Sequence, residues 1–112
     1  LPRLVCQARA MGLAMLGDKV KAEQAEQWGM IWKAVDDEAL KEEALAMAKH
    51  LATQPTKGLA LIKRAINASW NNSFDEQLDL ERDLQTLAGR TEDYREGVGA
   101  FMEKRQPNFT GK

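Results

Sequence analysis

Apolar residues recur at helical spacing along most of this chain. Leu40, Ala44, Met47, Ala48 and Leu51 fall on one face of a long helix that Asp36 or Asp37 can cap and that runs to His50 or Ala52. Pro55 stops it, because the residue before a proline is pushed out of the helical region. Thr56 is expected to cap a fourth helix, with Leu59, Ile62, Ala65 and Ile66 as its buried stripe and Asn71-Asn72 as its break. Ser73 and Glu76 form an S-x-x-E capping box ahead of a fifth helix, which carries Leu80, Leu84 and Leu87 and ends at Gly89. Thr91 opens the last helix, with Glu92 and Asp93 at its positive end and Lys104 and Arg105 at its negative end. Tyr94, Val98, Phe101 and Met102 mark its apolar side, Pro107 terminates it, and Asn108 to Lys112 is expected to be a polar tail.

The first third is patterned less cleanly. Arg3 to Leu16 reads as a helix with Pro2 in its first turn and Gly17-Asp18 at its end. Its Gly12 costs about 1 kcal/mol relative to alanine, which predicts a close neighbouring backbone. Ala22 to Trp28 makes a short helix closed by Gly29, and Lys21 is a poor cap for its start. Met30 to Val35 holds β-formers without clean alternation; as a strand it would need a partner elsewhere. The predicted fold class is therefore all-α, with five to six short helices and at most one short strand.

Composition narrows the class of function. The 112 residues are 44% hydrophobic and 29% charged, as in a globular protein. Uncharged runs such as Ala10 to Gly17 are far shorter than the roughly 20 residues that cross a bilayer. A net charge of −1 with both signs interspersed offers no broad attraction to nucleic acid. One cysteine, Cys6, cannot form an internal disulfide, which fits a reducing, cytoplasmic compartment. The chain opens Leu1-Pro2-Arg3 without an initiator methionine, inside a pattern already running, which hints at truncation.

Candidate chemistry is sparse. His50 is the only histidine; at a helix end it serves the last carbonyls or solvent more readily than a reaction. Cys6 has no nearby histidine and reads as a buried or incidental thiol. Together they supply no metal ligand set, and no metal is expected. Asp79, Glu81, Arg82 and Asp83 could pair carboxylates for proton transfer, but the interleaved arginine and leucines suggest a solvated face laced by salt bridges. Trp28, Trp32 and Trp70 read as packing or interface residues. Phe101 and Lys104, three apart on one face beside Gly97 and Gly99, could stack on a nucleotide base and meet a phosphate. Core packing with a helix-end lysine accounts for the same spacing. Pattern alone ends at a helical domain without a visible active site.

The wording of the sequence carries further. Leu1-Pro2-Arg3, Ala8 to Ala14, Leu16-Gly17, Ala22 to Ala25, Trp28 to Trp32 and Val35 to Asp37 resemble the segment that follows the catalytic loops of the crotonase, or enoyl-CoA hydratase/isomerase, family. Leu51 to Thr56, Gly58-Leu59, Leu61 to Lys63, Gln77 to Asp83, Leu87 to Arg90, Asp93 to Val98 and the ending Phe101, Lys104-Arg105, Pro107, Phe109 to Gly111 continue the likeness in order. The Trp28 to Trp32 and Gln77 to Asp83 runs are similar to the bacterial branch that isomerises a ring-epoxidised acyl-CoA in phenylacetate degradation. Cys6 departs from the pattern where glycine is common, and Lys21 where a Ser or Thr cap is common.

This resemblance implies a C-terminal helical segment spanning residues 1–112 of an α/β crotonase fold. The thioester-binding β/α core, its oxyanion hole of two backbone N–H groups and its catalytic carboxylates would then lie upstream of Leu1, leaving no catalytic residue here. It also implies a trimer or dimer of trimers, an acyl-CoA substrate without a covalently bound cofactor, a bacterial cytoplasmic location, and a role for these helices in assembly and in covering the acyl pocket. Phe101 and Lys104 match tail positions that reach a neighbouring subunit's CoA. The competing expectation is a self-sufficient helical interaction module whose apolar faces bury one another; the upstream reading frame separates the two.

Overall fold

The computed structural model describes residues 1–112, in six α-helices and no strand. They are α1 Pro2–Leu16, α2 Ala22–Gln27, α3 Asp37–Ala52, α4 Thr56–Ala68, α5 Phe74–Gly89 and α6 Glu92–Glu103. The chain divides into two compact units, Leu1–Glu43 and Ala44–Lys112.

In the first unit, α1 starts on Pro2 as its sequence predicts and closes on Gly17 in the left-handed region at φ 71°. It is not continuous. Cys6 stands at φ 67° and ψ 166°, a conformation that belongs to glycine, and splits the helix into two stretches. Gly12 has nothing within 4 Å of where a Cβ would sit, so the close backbone neighbour expected there is not supplied by this chain. The α2 start at Lys21 has no side-chain cap, and its end is a left-handed turn at Gly29, φ 72°, with the Met30 N–H on the Ala25 carbonyl at 2.8 Å. Arg9 lies over the Trp28 ring, 5.2 Å from its centroid. Met30 to Asp36 forms bends and irregular chain, tied by the Ala34 N–H to Glu26 at 3.1 Å. Its β-formers have no partner strand, and a lone strand leaves its backbone groups unpaired. Lys33 and Glu43 form an ion pair across this segment.

In the second unit, α4 packs on α5 and α5 meets α6. Thr56 is the first helical residue of α4 and not its cap; Pro55 holds the cap position without a side-chain bond. The capping box of α5 is complete: the Ser73 N–H donates to Glu76 Oε2 at 2.8 Å, and the Glu76 N–H donates to Ser73 Oγ at 3.3 Å. Those bonds, led by the one from the Ser73 backbone, hold the Glu76 carboxyl below its ordinary value. Gln77 spans the α4–α5 connection, reaching the Ala65 carbonyl at 3.2 Å. Arg82 pairs with Asp83 and Asp79 at 2.8 and 2.7 Å on an exposed face, the solvated salt-bridge face that the charge run suggests.

Little apolar surface is buried. Only Val5, Ala10, Leu84 and Ala100 form a core. The stripe predicted on α3 is a stripe, but Leu40, Met47 and Leu51 are exposed, as are Ile62 and Ile66 of α4. The chain exposes 9274 Å² in all.

Candidate functional site

The two side chains singled out by sequence sit at the end of α6. Thr91 caps that helix, its hydroxyl accepting from the Tyr94 N–H at 3.1 Å, and Glu92 and Asp93 occupy the first turn. At the other end Lys104 is the cap residue at φ 54°, ψ 39°. Its N–H meets the Phe101 carbonyl at 3.3 Å, and the Arg105 N–H reaches the Ala100 carbonyl at 3.0 Å, closing a left-handed turn. Lys104 thus ends the helix itself, three residues before the proline expected to do so. Phe101 is 81% exposed and Lys104 is exposed, with no hydrogen bond or ion pair from its ammonium within the chain.

Residues 105–112 are not a free tail. They return along α6 as a strap. The Arg105 guanidinium donates two bonds to Glu96, at 2.6 and 2.9 Å, and one to Glu103 at 2.6 Å. The Asn108 N–H joins on Glu96 at 2.8 Å. With the Arg105 bonds leading, these contacts pull the Glu96 carboxyl down to about 2 and raise Arg105 further above its already high value. A Cβ at Gly97 would lie 3.5 Å from the Phe109 ring, so the close approach expected at this glycine comes from the chain's own strap. Asp93, only 2% exposed, accepts the Thr110 and Gly111 N–H groups on its two oxygens at 2.7 and 2.8 Å. Gly111 is held at φ 77°, where a Cβ would meet Thr56 Oγ1 at 2.6 Å. The sequence reading assigned Asp93 to the helix dipole and missed its partners, because they lie 17 and 18 residues downstream.

An apolar groove of about 380 Å³ runs beside the strap, with Pro55, Tyr94, Val98, Phe101 and Phe109 among its walls. Asp93 is its one acid, and both its oxygens are taken by backbone N–H groups. A second groove of about 350 Å³ between α4 and α5 contains Glu81, which accepts from Gln77 at 2.7 Å. Neither presents paired free carboxylates. Cys6 is exposed and not buried, His50 is exposed, and no three His, Cys, Asp or Glu residues gather as a metal site. No helix is long and apolar enough to cross a membrane. Trp32 is 84% exposed, so it is not a packing residue of the core.

Phe101 and Lys104 thus both stand exposed at the C-terminal end of α6, beside the strap. The family model for enoyl-CoA hydratase/isomerase matches residues 1–112, and the chain belongs to that family. It is 64% identical over its whole length to the 1,2-epoxyphenylacetyl-CoA isomerase of Escherichia coli K12, covering 43% of that protein. It is 35% identical over 109 residues to the mitochondrial enoyl-CoA hydratase of Pongo abelii, covering 97% of this chain and 38% of that one. The crystal structure of enoyl-CoA hydratase from Bacillus anthracis superposes with a TM-score of 0.91 at 30% identity, over 99% of this chain and 43% of that chain. The chain therefore spans less than half the length of the relatives it matches.

Proposed function

We propose that this chain is the C-terminal helical segment of a ring-1,2-epoxyphenylacetyl-CoA isomerase of bacterial phenylacetate catabolism, working in the cytoplasm as a trimer or dimer of trimers. Its helices join subunits and cover the acyl pocket of a catalytic core contributed by other residues, and none of its own side chains is assigned a catalytic role. The observation that carries this reading is the exposure of apolar faces patterned for burial: Leu40, Met47 and Leu51 on α3, Ile62 and Ile66 on α4, Trp32 and Phe101. The 64% identity to an epoxyphenylacetyl-CoA isomerase supports the reaction. A self-sufficient module would bury those faces against one another, and their exposure counts against it.

Phe101 and Lys104 are assigned to the CoA of a neighbouring subunit, the ring stacking on the base and the ammonium meeting a phosphate. A contact so far from the reacting carbons contributes to binding in ground and transition states alike. Lys104→Ala in the full-length enzyme should raise the KM for the CoA ester about tenfold, as loss of one charge-assisted bond predicts, and change kcat less than twofold. An unchanged KM removes Lys104 from the site. The purified 112-residue chain should turn over no enoyl-CoA or epoxyphenylacetyl-CoA, and turnover by it refutes the assignment.

A further inference from the structure

Asp93 and Glu96 stand three apart on α6 and so share a face of that helix. Both carboxylates bind the returning strap. Glu96 accepts the Asn108 N–H at 2.8 Å, and Asp93 accepts the Thr110 and Gly111 N–H groups at 2.7 and 2.8 Å. Phe109 is the residue between these anchors, so its backbone is tied on both sides. Because Asp93 is 2% exposed, its charge-assisted bonds are shielded from water and hold the strap more firmly than a surface ion pair would. The Phe109 ring is thereby set over Gly97, 3.5 Å from where a Cβ would stand. It is only half-buried there. It is also a wall of the groove of about 380 Å³ that Phe101, Tyr94 and Val98 line. The one acid of that groove has both oxygens taken, and aromatic and aliphatic walls recognise a flat, uncharged ring by stacking.

We propose that Phe109 is a second aromatic wall for the base of the CoA nucleotide, and that Asp93 is the positioning residue that holds it there through the strap. This rests on the assignment of Phe101 and Lys104 to CoA made above, which brings the base to the groove that Phe101 and Phe109 share. With the clasp closed, the ring is seated before the ligand arrives and little ordering is left for binding. With it open, Thr110 and Gly111 are released to water and the base has Phe101 alone.

The test is steady-state kinetics of the full-length enzyme on two thioesters of one acyl group, with thermal unfolding of each variant alongside. One thioester is of CoA; the other is of pantetheine, which lacks the nucleotide. Phe109→Leu keeps an apolar side chain on Gly97 and removes the ring. It should raise KM for the CoA ester about three- to tenfold, with kcat and the pantetheine-ester KM both within about twofold of wild type. Asp93→Asn, whose amide offers one acceptor oxygen in place of two, should give the same selective rise. The double variant should be no worse than the poorer single, because the clasp acts through the ring. Effects that multiply in the double variant overturn the positioning role. So does an Asp93→Asn enzyme that melts lower but shows no selective rise, the outcome of a merely structural role. An unchanged KM in Phe109→Leu, or an equal rise on both esters, overturns the assignment of this ring to the base. Should Asp93→Asn fail to fold, Asp93→Glu keeps both acceptors on a stem one methylene longer, and the same selective rise is expected. Phe101→Ala and Lys104→Ala separate the two levels. A selective rise in them with none in Phe109→Leu sinks this proposal alone, whereas an unchanged KM in both sinks the CoA assignment beneath it.

Discussion

Replacing Cys6 by glycine should stabilise the protein, although it removes a side chain. Cys6 is held at φ 67°, ψ 166°, a region that costs a non-glycine residue roughly 1–3 kcal/mol. Its thiol is exposed, so no packing is lost with it. Glycine is freer than cysteine in the unfolded chain, which offsets roughly 0.5–1 kcal/mol of the relief. The net gain is therefore about 0–2.5 kcal/mol, with a midpoint of about 1 kcal/mol. Urea unfolding followed by tryptophan fluorescence is the assay, since Trp28 lies in the same unit with Arg9 over its ring. Cys6→Ala is the control: it keeps the Cβ and the strain, and should move stability by less than about 0.5 kcal/mol. A Cys6→Gly variant no more stable than Cys6→Ala would refute the strain argument.

The strap along α6 makes three further outcomes measurable. Asp93→Ala removes an acceptor of two backbone N–H groups from a buried position; because Thr110 and Gly111 can rehydrate once released, the expected loss is about 2–3 kcal/mol, with faster tryptic cleavage at Arg105. Gly111→Ala should cost at least about 1–2 kcal/mol, since the alanine must adopt φ 77° and its Cβ would lie 2.6 Å from Thr56 Oγ1; denaturant titration reads it. Glu96 has a folded pKa of about 2, depressed from 4.5, so its contribution is full above pH 4.5 and fades as pH falls toward 2. Stability of the wild type should drop more steeply across that window than that of Glu96→Gln.

Local signals were legible where the chain itself supplies the physics. The capping box at Ser73 and Glu76, the Thr91 cap and the glycine turns at 17 and 29 involve partners within five residues, and each is found where the pattern places it. Thr56 was misplaced by one because the fixed φ of Pro55 suits the cap position as well as the first turn. The kink at Cys6 was invisible to periodicity; only the family's habit of glycine there marked it. The strap was missed for another reason: Asp93 and its partners are joined by tertiary contacts across 17 and 18 residues, and a five-residue polar ending carries no pattern that predicts docking. The Arg105 contacts with Glu96 and Glu103 beside Phe101 and Lys104 were not legible, since Arg105 reads in sequence as one more cation at a helix end. The α3 stripe was legible as apolar, while its exposure was not, since periodicity marks a face without saying what it meets.

Hydroxyl-radical footprinting of Trp32, Met47 and Phe101, compared between the full-length enzyme and the isolated 112 residues, addresses the assembly role most directly. These side chains are 84%, 48% and 81% exposed in the chain alone. If the helices serve as a cover and a subunit joint, all three should be several-fold protected in the full-length enzyme and freely oxidised in the isolated chain. Equal oxidation in both would mean that nothing covers these faces, and the assembly role would be wrong.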